Sequence, residues 1–153
     1  MSTKPPSLAD LQAADSWAPI VPLPIVHANG IRTLGGNLPL AAPGRLLRSF
    51  TTQAQNNNVL VMASITGYQV TAVGSNDIFW QVTDVGGITI IISAIVTYYF
   101  NALSDHRTFP TCFMSGPLPA GDYELRAWQT NPNGRFAVQD IASFSIIEFP
   151  TNG

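Results

Sequence analysis

The residue types of a hydrolase triad occur side by side at Ser104, Asp105 and His106. Triad members normally come from separate segments that converge in the fold, and neighbours within one loop cannot share a single proton path. We therefore favour a polar loop that orders itself, with catalysis as the alternative. Glu124 and Glu148 could form a carboxylate pair of the glycosidase kind, but no aromatic residues of a sugar cleft cluster with them in the sequence.

The other reactive side chains are isolated along the chain. His27 and His106 are the two histidines, and neither has the spacing of a metal site. Cys112 is the one cysteine, so no intrachain disulfide can form, and its apolar neighbours predict a buried, inert thiol. No glycine loop of the phosphate-binding kind occurs. The sequence therefore predicts no catalytic residues, no cofactor and no metal.

Composition narrows the class of partner. The chain has 153 residues, 46% of them hydrophobic and only 10% charged, whereas soluble domains carry about 25% charged residues. Much of the surface is therefore expected to face other protein; a stable domain with a Ser, Thr, Asn and Gln surface is the alternative. The net charge is −2 and the basic residues are scattered, which argues against a nucleic-acid partner.

Membrane insertion and export are also disfavoured. The N-terminus lacks the apolar core of a signal peptide. The longest apolar run, residues 88–100, is shorter than the roughly 20 residues of a membrane-spanning helix. We expect a product made in a cytoplasm, without Sec export and without a membrane partner.

Alternating hydrophobicity and regularly spaced turn residues predict an all-β fold. In the clearest stretch, 118–128, a turn with Pro119 and Gly121 leads into a strand with Tyr123, Leu125 and Ala127 on one face. Further strands are predicted at 59–70, 78–83, 88–100, 109–115 and 143–149, with a break or bulge at Gly67, an interruption at Pro110, and turns at 56–58, 74–77, 84–87 and 131–134. This pattern predicts an antiparallel β-sandwich or jelly roll of about eight strands.

The first 48 residues differ from the rest, because seven of the twelve prolines fall within them. A short helix is predicted at 7–15, followed by an apolar run that prolines interrupt and that cannot form a central strand. We predict an extended, proline-rich N-terminal arm over 1–48 and a β-sandwich domain over 49–153. The arm packs either on its own domain or on a neighbouring subunit. Its partner-binding residues would be Trp17, Ile20, Val21, Leu23 and Ile25.

The predicted strand at 88–100 has two different faces. One face is wholly apolar, and the other mixes small polar residues with apolar ones but carries no charge, unlike a strand that faces water. A buried contact between subunits suits this mixed face, since charged residues are depleted at the centre of interfaces; cover by the arm is the alternative. The predicted oligomer interface consists of Thr89, Ile91, Ser93, Ile95, Thr97 and Tyr99.

Several segments together resemble a known pattern. The segments 58–64, 106–108, 116–127 and 144–149 are similar to the strands and hairpin of small jelly-roll domains of the tumour-necrosis-factor and C1q-like type, found in structural and appendage proteins of bacteriophages. The resemblance covers about residues 50–149, its motifs are degenerate, and it leaves out the arm. Glu124 stands where the hairpin usually has Thr.

This resemblance implies a homotrimer in a virion, associated through an apolar sheet face. The function it implies is non-enzymatic: decorating or cementing a capsid by contact with other virion proteins such as the major capsid protein, with the arm as the fastener. The alternative is a receptor- or carbohydrate-binding head of a phage tail fibre. An enzyme is the third hypothesis, and no charged constellation supports it.

Overall fold

The computed structural model describes residues 23–53 and 56–150, and in these ranges the chain forms nine β-strands. The strands are β1 (Ile25–Thr33), β2 (Arg45–Thr52), β3 (Asn57–Gln69), β4 (Gly74–Asp84), β5 (Ile90–Phe100), β6 (Arg107–Met114), β7 (Gly121–Gln129), β8 (Gly134–Arg135) and β9 (Ile141–Pro150). Within the same ranges, no helix is long and apolar enough to cross a membrane.

The strands form two antiparallel sheets with the connectivity of a jelly roll. Sheet A has the order β1-β9-β3-β6, with the short β8 paired to β3, and sheet B has the order β2-β7-β4-β5. Strands β1 to β4 alternate between the sheets, and β4 and β5 form a hairpin within sheet B. The four long strands of each sheet, linked in this way, make a jelly roll, so the predicted all-β sandwich is confirmed.

The core lies between the two sheets and follows from the period-two alternation of the strands. On β3 every second residue is buried, including Val59, Val61 and Ile65. From sheet B, Trp80 and Leu125 face them and are fully buried. Burying one such aliphatic side chain stabilises the fold by about 1.5–3 kcal/mol, which fixes the register of every strand that contributes one.

Residues 25–48, nearly all of the described part of the predicted arm, belong to the sandwich. Strand β1 pairs with β9 at the edge of sheet A, and Leu34, Leu38 and Leu47 are nearly fully buried in the core. The boundary predicted at residue 48 therefore does not mark the start of the strands, which begin at Ile25. The predicted helix at 7–15 lies outside the described residues.

Three local predictions are corrected. Residues 74–77 open β4 instead of forming a turn, because the chain reverses before them, at 70–73. Pro110 does not interrupt β6, because β6 is an edge strand and the missing N–H breaks no central ladder. Gly67 pairs regularly with Arg107 without a bulge, and its missing side chain makes room for the ring of Phe136.

The two turns that the sequence placed at 84–87 and 118–121 are held by specific hydrogen bonds. The Gly87 N–H donates to the Asp84 carbonyl at 3.1 Å, and the Tyr123 hydroxyl donates to the Pro119 carbonyl at 2.9 Å. Hydrogen bonds from the backbone and side chain of Thr89 hold the pKa of the Asp84 carboxyl below its usual value of 3.8. These bonds stabilise the turn above that value, and the stabilisation is lost as the pH falls through the lowered pKa.

Two glycines with positive φ provide a matched test of backbone geometry. At Gly44, where φ is +74°, a Cβ would lie 2.5 Å from the Ala127 carbonyl oxygen, whereas at Gly35, where φ is +47°, it would meet open space. We expect Gly35→Ala to lower the free energy of unfolding by about 1 kcal/mol, the cost of a left-handed conformation alone. Gly44→Ala should cost about 3 kcal/mol or more, because backbone must also shift. Equal losses in urea denaturation would contradict this packing.

Candidate functional site

The structure does not assemble Ser104, Asp105 and His106 into a triad. The His106 Nδ1 lies 2.8 Å from an oxygen of Asp140, which is almost fully buried. Asp105 instead accepts a hydrogen bond of 2.7 Å from Nε of Arg107. The hypothesis of a loop that orders itself describes this geometry, since each charged group is bound to a partner within the loop or beside it.

Further contacts hold the same loop against the sheets. The Ser104 N–H donates to the Gln69 carbonyl at 2.8 Å, and the His106 ring stacks on Tyr68 with 4.3 Å between ring centroids. Asp140 also accepts a hydrogen bond of 2.6 Å from the Ala137 N–H. These contacts join the 101–106 loop to the chain before β9, and they position His106 without placing the Ser104 hydroxyl against it.

Glu124 and Glu148 do not form the carboxylate pair that the sequence allowed. Glu124 lies on β7 in sheet B and accepts a hydrogen bond of 2.8 Å from Nε of Arg126. Glu148 lies on β9 in sheet A, is fully buried, and is bound by Nε2 of His27. The Gln53 N–H also donates to Glu148, at 3.1 Å. The two carboxylates are in different sheets, and each holds its own structural partner.

The His27–Glu148 pair depends on a β-bulge. The register of β1 against β9 shifts between Val26 and Ala28, so His27 and Ala28 both face the interior. A bulge of this kind re-aims one side chain while the strand stays paired. In the described part of the chain, no group of three His, Cys, Asp or Glu side chains could hold a metal ion.

The prediction of a buried cysteine is wrong. Cys112 is exposed, since the alternation of β6 turns Phe109 into the core and Cys112 onto the outer face of sheet A. The run of apolar residues around Cys112 suggested burial, but every strand of a sandwich places alternate residues on the outer face of its sheet.

The predicted oligomer interface lies mostly on the outside of sheet B. Ile91, Ser93, Ile95, Thr97 and Tyr99 are exposed on β5, and we call these five residues the β5 face. Ile95 is 58% exposed and Tyr99 is 65% exposed, large fractions for side chains of this size. Thr89 precedes β5 and belongs to the turn, where its N–H binds Asp84. Nothing in the isolated chain covers this face within the described residues.

The β5 face continues across the sheet into two stacked rings. Phe79 pairs with Ile95 on one side and with Trp128 on the other. The rings of Phe79 and Trp128 are nearly parallel, with 3.9 Å between centroids and an interplanar angle of 8°. An apolar row thus crosses β5, β4 and β7. Sequence reasoning missed it, because the register between these strands decides which residues become neighbours.

Sheet A carries a second uncharged surface, a shallow groove of about 860 Å³ on its outer side. Its floor holds small side chains, among them Ser64 and Ser143, whose hydroxyl oxygens lie 2.8 Å apart. Ile31 and Met62 border it and are 71% and 41% exposed. No lining residue is charged. We call it the sheet A groove, and it is lined by Asn29, Gly30, Ile31, Met62, Ala63, Ser64, Pro110, Thr111, Cys112, Ser143, Phe144 and Ser145.

The predicted partner-binding residues of the arm are only partly described. Leu23 is 82% exposed, and Ile25 is half-buried at the start of β1. Trp17, Ile20 and Val21 lie outside the described residues. The part that is described therefore shows the chain at a sheet edge, with a large apolar side chain in solvent just before the first strand.

No family model and no curated protein sequence matches this chain. Among the similar chains of solved structures, three come from infectious bursal disease virus. A chain of the Gx strain has 14% identity and a TM-score of 0.49 over 87% of this chain and 33% of that one. A chain of the VP2 subviral particle has 13% identity and a TM-score of 0.46, with coverage of 84% and 33%. A chain of the T13 viral particle has 10% identity and a TM-score of 0.40, with coverage of 86% and 41%.

The chain thus spans about a third of the length of the first two chains. At these identities and TM-scores the likeness does not bear on function, and the jelly-roll assignment rests on the strand order itself.

The two histidine–carboxylate pairs differ in burial, and this difference predicts different stabilities. We expect His27→Ala to lower the free energy of unfolding by about 3 kcal/mol, because it removes the partner of a fully buried carboxylate. His106→Ala should cost only about 1 kcal/mol although Asp140 is buried as well, because the site of His106 is partly exposed, so that water can replace the lost contact, and because Asp140 keeps the hydrogen bond from the Ala137 N–H. Urea denaturation at neutral pH measures both. A larger loss for His106→Ala would contradict this ranking.

Proposed function

We propose that this protein is a non-enzymatic structural protein of a virion that works through contacts between its uncharged sheet faces and other protein. The observation that carries the proposal is the exposed, uncharged β5 face, which continues into the stacked Phe79 and Trp128. Jelly rolls of this type serve in viral capsids, lectins and cupins. The fold alone does not choose among these roles, and the surface favours protein contact.

We propose the β5 face as the oligomer contact. Soluble monomers rarely expose a contiguous apolar patch of this kind without a partner. Strand β5 is at the edge of sheet B, so a neighbour can reach both its outer face and its free backbone edge. A homotrimer is the form that the resemblance to tumour-necrosis-factor and C1q-like domains implies, and a bacteriophage origin belongs to the same resemblance.

The role we propose within the virion is decoration or cementing of the capsid. A trimer that contacts several shell subunits at once binds more tightly than any single contact would, because the later contacts form at a high effective concentration. Binding only to the assembled shell also stabilises that shell by mass action. The fastener would be the arm, with Trp17, Ile20, Val21, Leu23 and Ile25 as its anchors, and the exposure of Leu23 supports this.

A second candidate is a receptor- or carbohydrate-binding head of a tail fibre. The observation that favours it is the polar end of the sandwich, where His106 stacks on Tyr68 and is oriented by Asp140. An aromatic ring beside an oriented imidazole is a usable contact for a polar ligand. The two candidates place the protein at different sites of a virion and in different amounts.

The oligomer contact is tested by a charge on the β5 face. We expect Ile95→Asp to convert a trimer to a monomer in light scattering, because it places a carboxylate in a contact without charged partners. The unfolding free energy should change by less than about 1 kcal/mol, since Ile95 is exposed in the isolated chain. Val138→Asp, at a loop position that is 78% exposed, should keep the trimer. A monomeric wild-type chain would overturn the oligomer contact altogether, and an Ile95→Asp variant that stays trimeric would show the contact to be elsewhere.

The location is tested by counting copies. Quantitative mass spectrometry of purified virions that carry this chain should give a copy number that scales with the number of shell subunits. A few copies for each particle would favour the fibre head instead. A glycan array provides the complementary control, because a decoration protein should bind none of its sugars, whereas a carbohydrate-binding head should bind a defined set.

A further inference from the structure

The sheet A groove has the features of a peptide-binding surface. It is open, its lining is uncharged, and its floor is made of small side chains with hydroxyl groups, such as Ser64 and Ser145. Ile31 and Met62 at its borders remain exposed in the isolated chain. Such a surface suits an extended, uncharged segment, whose carbonyl groups can accept hydrogen bonds from the serines and whose apolar side chains can cover the borders.

The chain itself contains a segment of matching chemistry. Residues 16–24 read Ser-Trp-Ala-Pro-Ile-Val-Pro-Leu-Pro, without a charge. Pro19, Pro22 and Pro24 have no N–H to donate and favour an extended conformation. A segment of this kind binds through its side chains and carbonyl groups rather than as a new strand in a ladder. It therefore suits a groove on the face of a sheet better than a free sheet edge.

The direction of the chain decides whose groove the segment can reach. Strand β1 starts at Ile25 and runs along sheet A towards Asn29–Ile31, which line the groove. At about 3.3 Å per residue the groove begins roughly 13 Å along β1, so an extended segment that continues the line of β1 before Ile25 would lead away from it. Leu23 is already 82% exposed. A segment bound in its own groove would have to reverse its direction, whereas a neighbour's groove requires no reversal.

We propose that the N-terminal segment 16–24 of one copy binds in the sheet A groove of a neighbouring copy. This inference rests on the proposed structural role and changes one part of it, because the subunit to which the arm binds becomes a second copy of the same chain instead of a shell protein. The β5 face and the sheet A groove lie on opposite outer sides of the sandwich. Each copy would thus make one contact through sheet B and another through sheet A.

Cys112 gives a direct measure of groove occupancy, because it lines the groove and is the one thiol in the chain. We expect it to react slowly with dithiobis(nitrobenzoate) in the wild-type oligomer. The double variant Ile20→Asp, Val21→Asp should raise the rate roughly tenfold or more, the change that corresponds to losing about 1.4 kcal/mol of binding. Ala13→Asp, in the same N-terminal region but outside the apolar segment, is the control and should leave the rate unchanged.

Mixing two variants identifies the copy that supplies the segment. Full-length Cys112→Ser has the segment but no thiol, and the double variant has the thiol with a disrupted segment. Adding the first protein in excess should slow the labelling of the second. When the second protein also carries Ser145→Lys, which puts a charge into its groove, this protection should be abolished. Val138→Lys in the same protein, on an exposed loop, should keep the protection.

Each outcome has one meaning for the proposal. Protection in the mixture supports the segment of a neighbouring copy. Protection of the wild-type thiol that persists on dilution to monomers and is lost in the double variant would overturn it in favour of the chain's own segment. Protection that is lost on dilution but kept in the double variant would show that another surface of the neighbouring copy covers Cys112. A thiol that reacts equally fast in every variant would show an empty groove.

The native mass of each sample separates this proposal from the proposed function. Protection of Cys112 by added Cys112→Ser protein, in a sample whose mass shows no trimer, would support the groove contact and overturn the trimer alone. A trimer whose thiol reacts rapidly in every variant would support the oligomer and overturn the groove contact alone.

Discussion

Strand β9 is the element on which sheet A depends, because it lies between β1 and β3 and pairs with both along nearly its whole length. The sheet cannot close until the last strand of the chain is in place. The buried Glu148 on β9 reinforces this arrangement, since it is bound by His27 from β1 and by the Gln53 backbone next to β2. Contacts between such distant parts of the sequence make folding slow and cooperative. They also hold the start of β1 at the edge of sheet A.

The packing of the two sheets also determines which residues form the outer surface. Each central strand gives one face to the core and the other to the surroundings, so the outer composition is set by the alternate residues of the strands. On sheet B the charged outer residues include Glu124 and Arg126 on β7, which pair with each other. The β5 face and the sheet A groove carry none. The uncharged part of the surface is therefore gathered in two exposed areas instead of being spread evenly.

The sequence predicted the elements well and their neighbours poorly. The alternation of Tyr123, Leu125 and Ala127 and the turn chemistry around Pro119 are local signals, and they placed β7 correctly. The difference between the two faces of the 88–100 segment likewise predicted which side of β5 faces outward. The groove and the stacking of Phe79 on Trp128 were not predictable, because they depend on the register between strands far apart in sequence. The exposure of Cys112 was missed because apolar residues on both faces of β6 hide which face is turned towards the core.

The four edge strands differ in how they resist pairing with other chains. Strand β1 has a bulge at His27, β2 has a bulge at Leu47 between Arg45 and Arg48, and β6 contains Pro110. Bulges, charges and proline are the usual devices that keep free edges apart. Beyond an irregularity at its first residues, β5 pairs regularly with β4 from Ile92 to Phe100 and has neither charge nor proline. A closed oligomer would bury this edge in a finite number of contacts, whereas an open one would let chains add without limit. The unprotected edge and the uncharged face belong to the same strand, so a single symmetric contact at β5 would cover both.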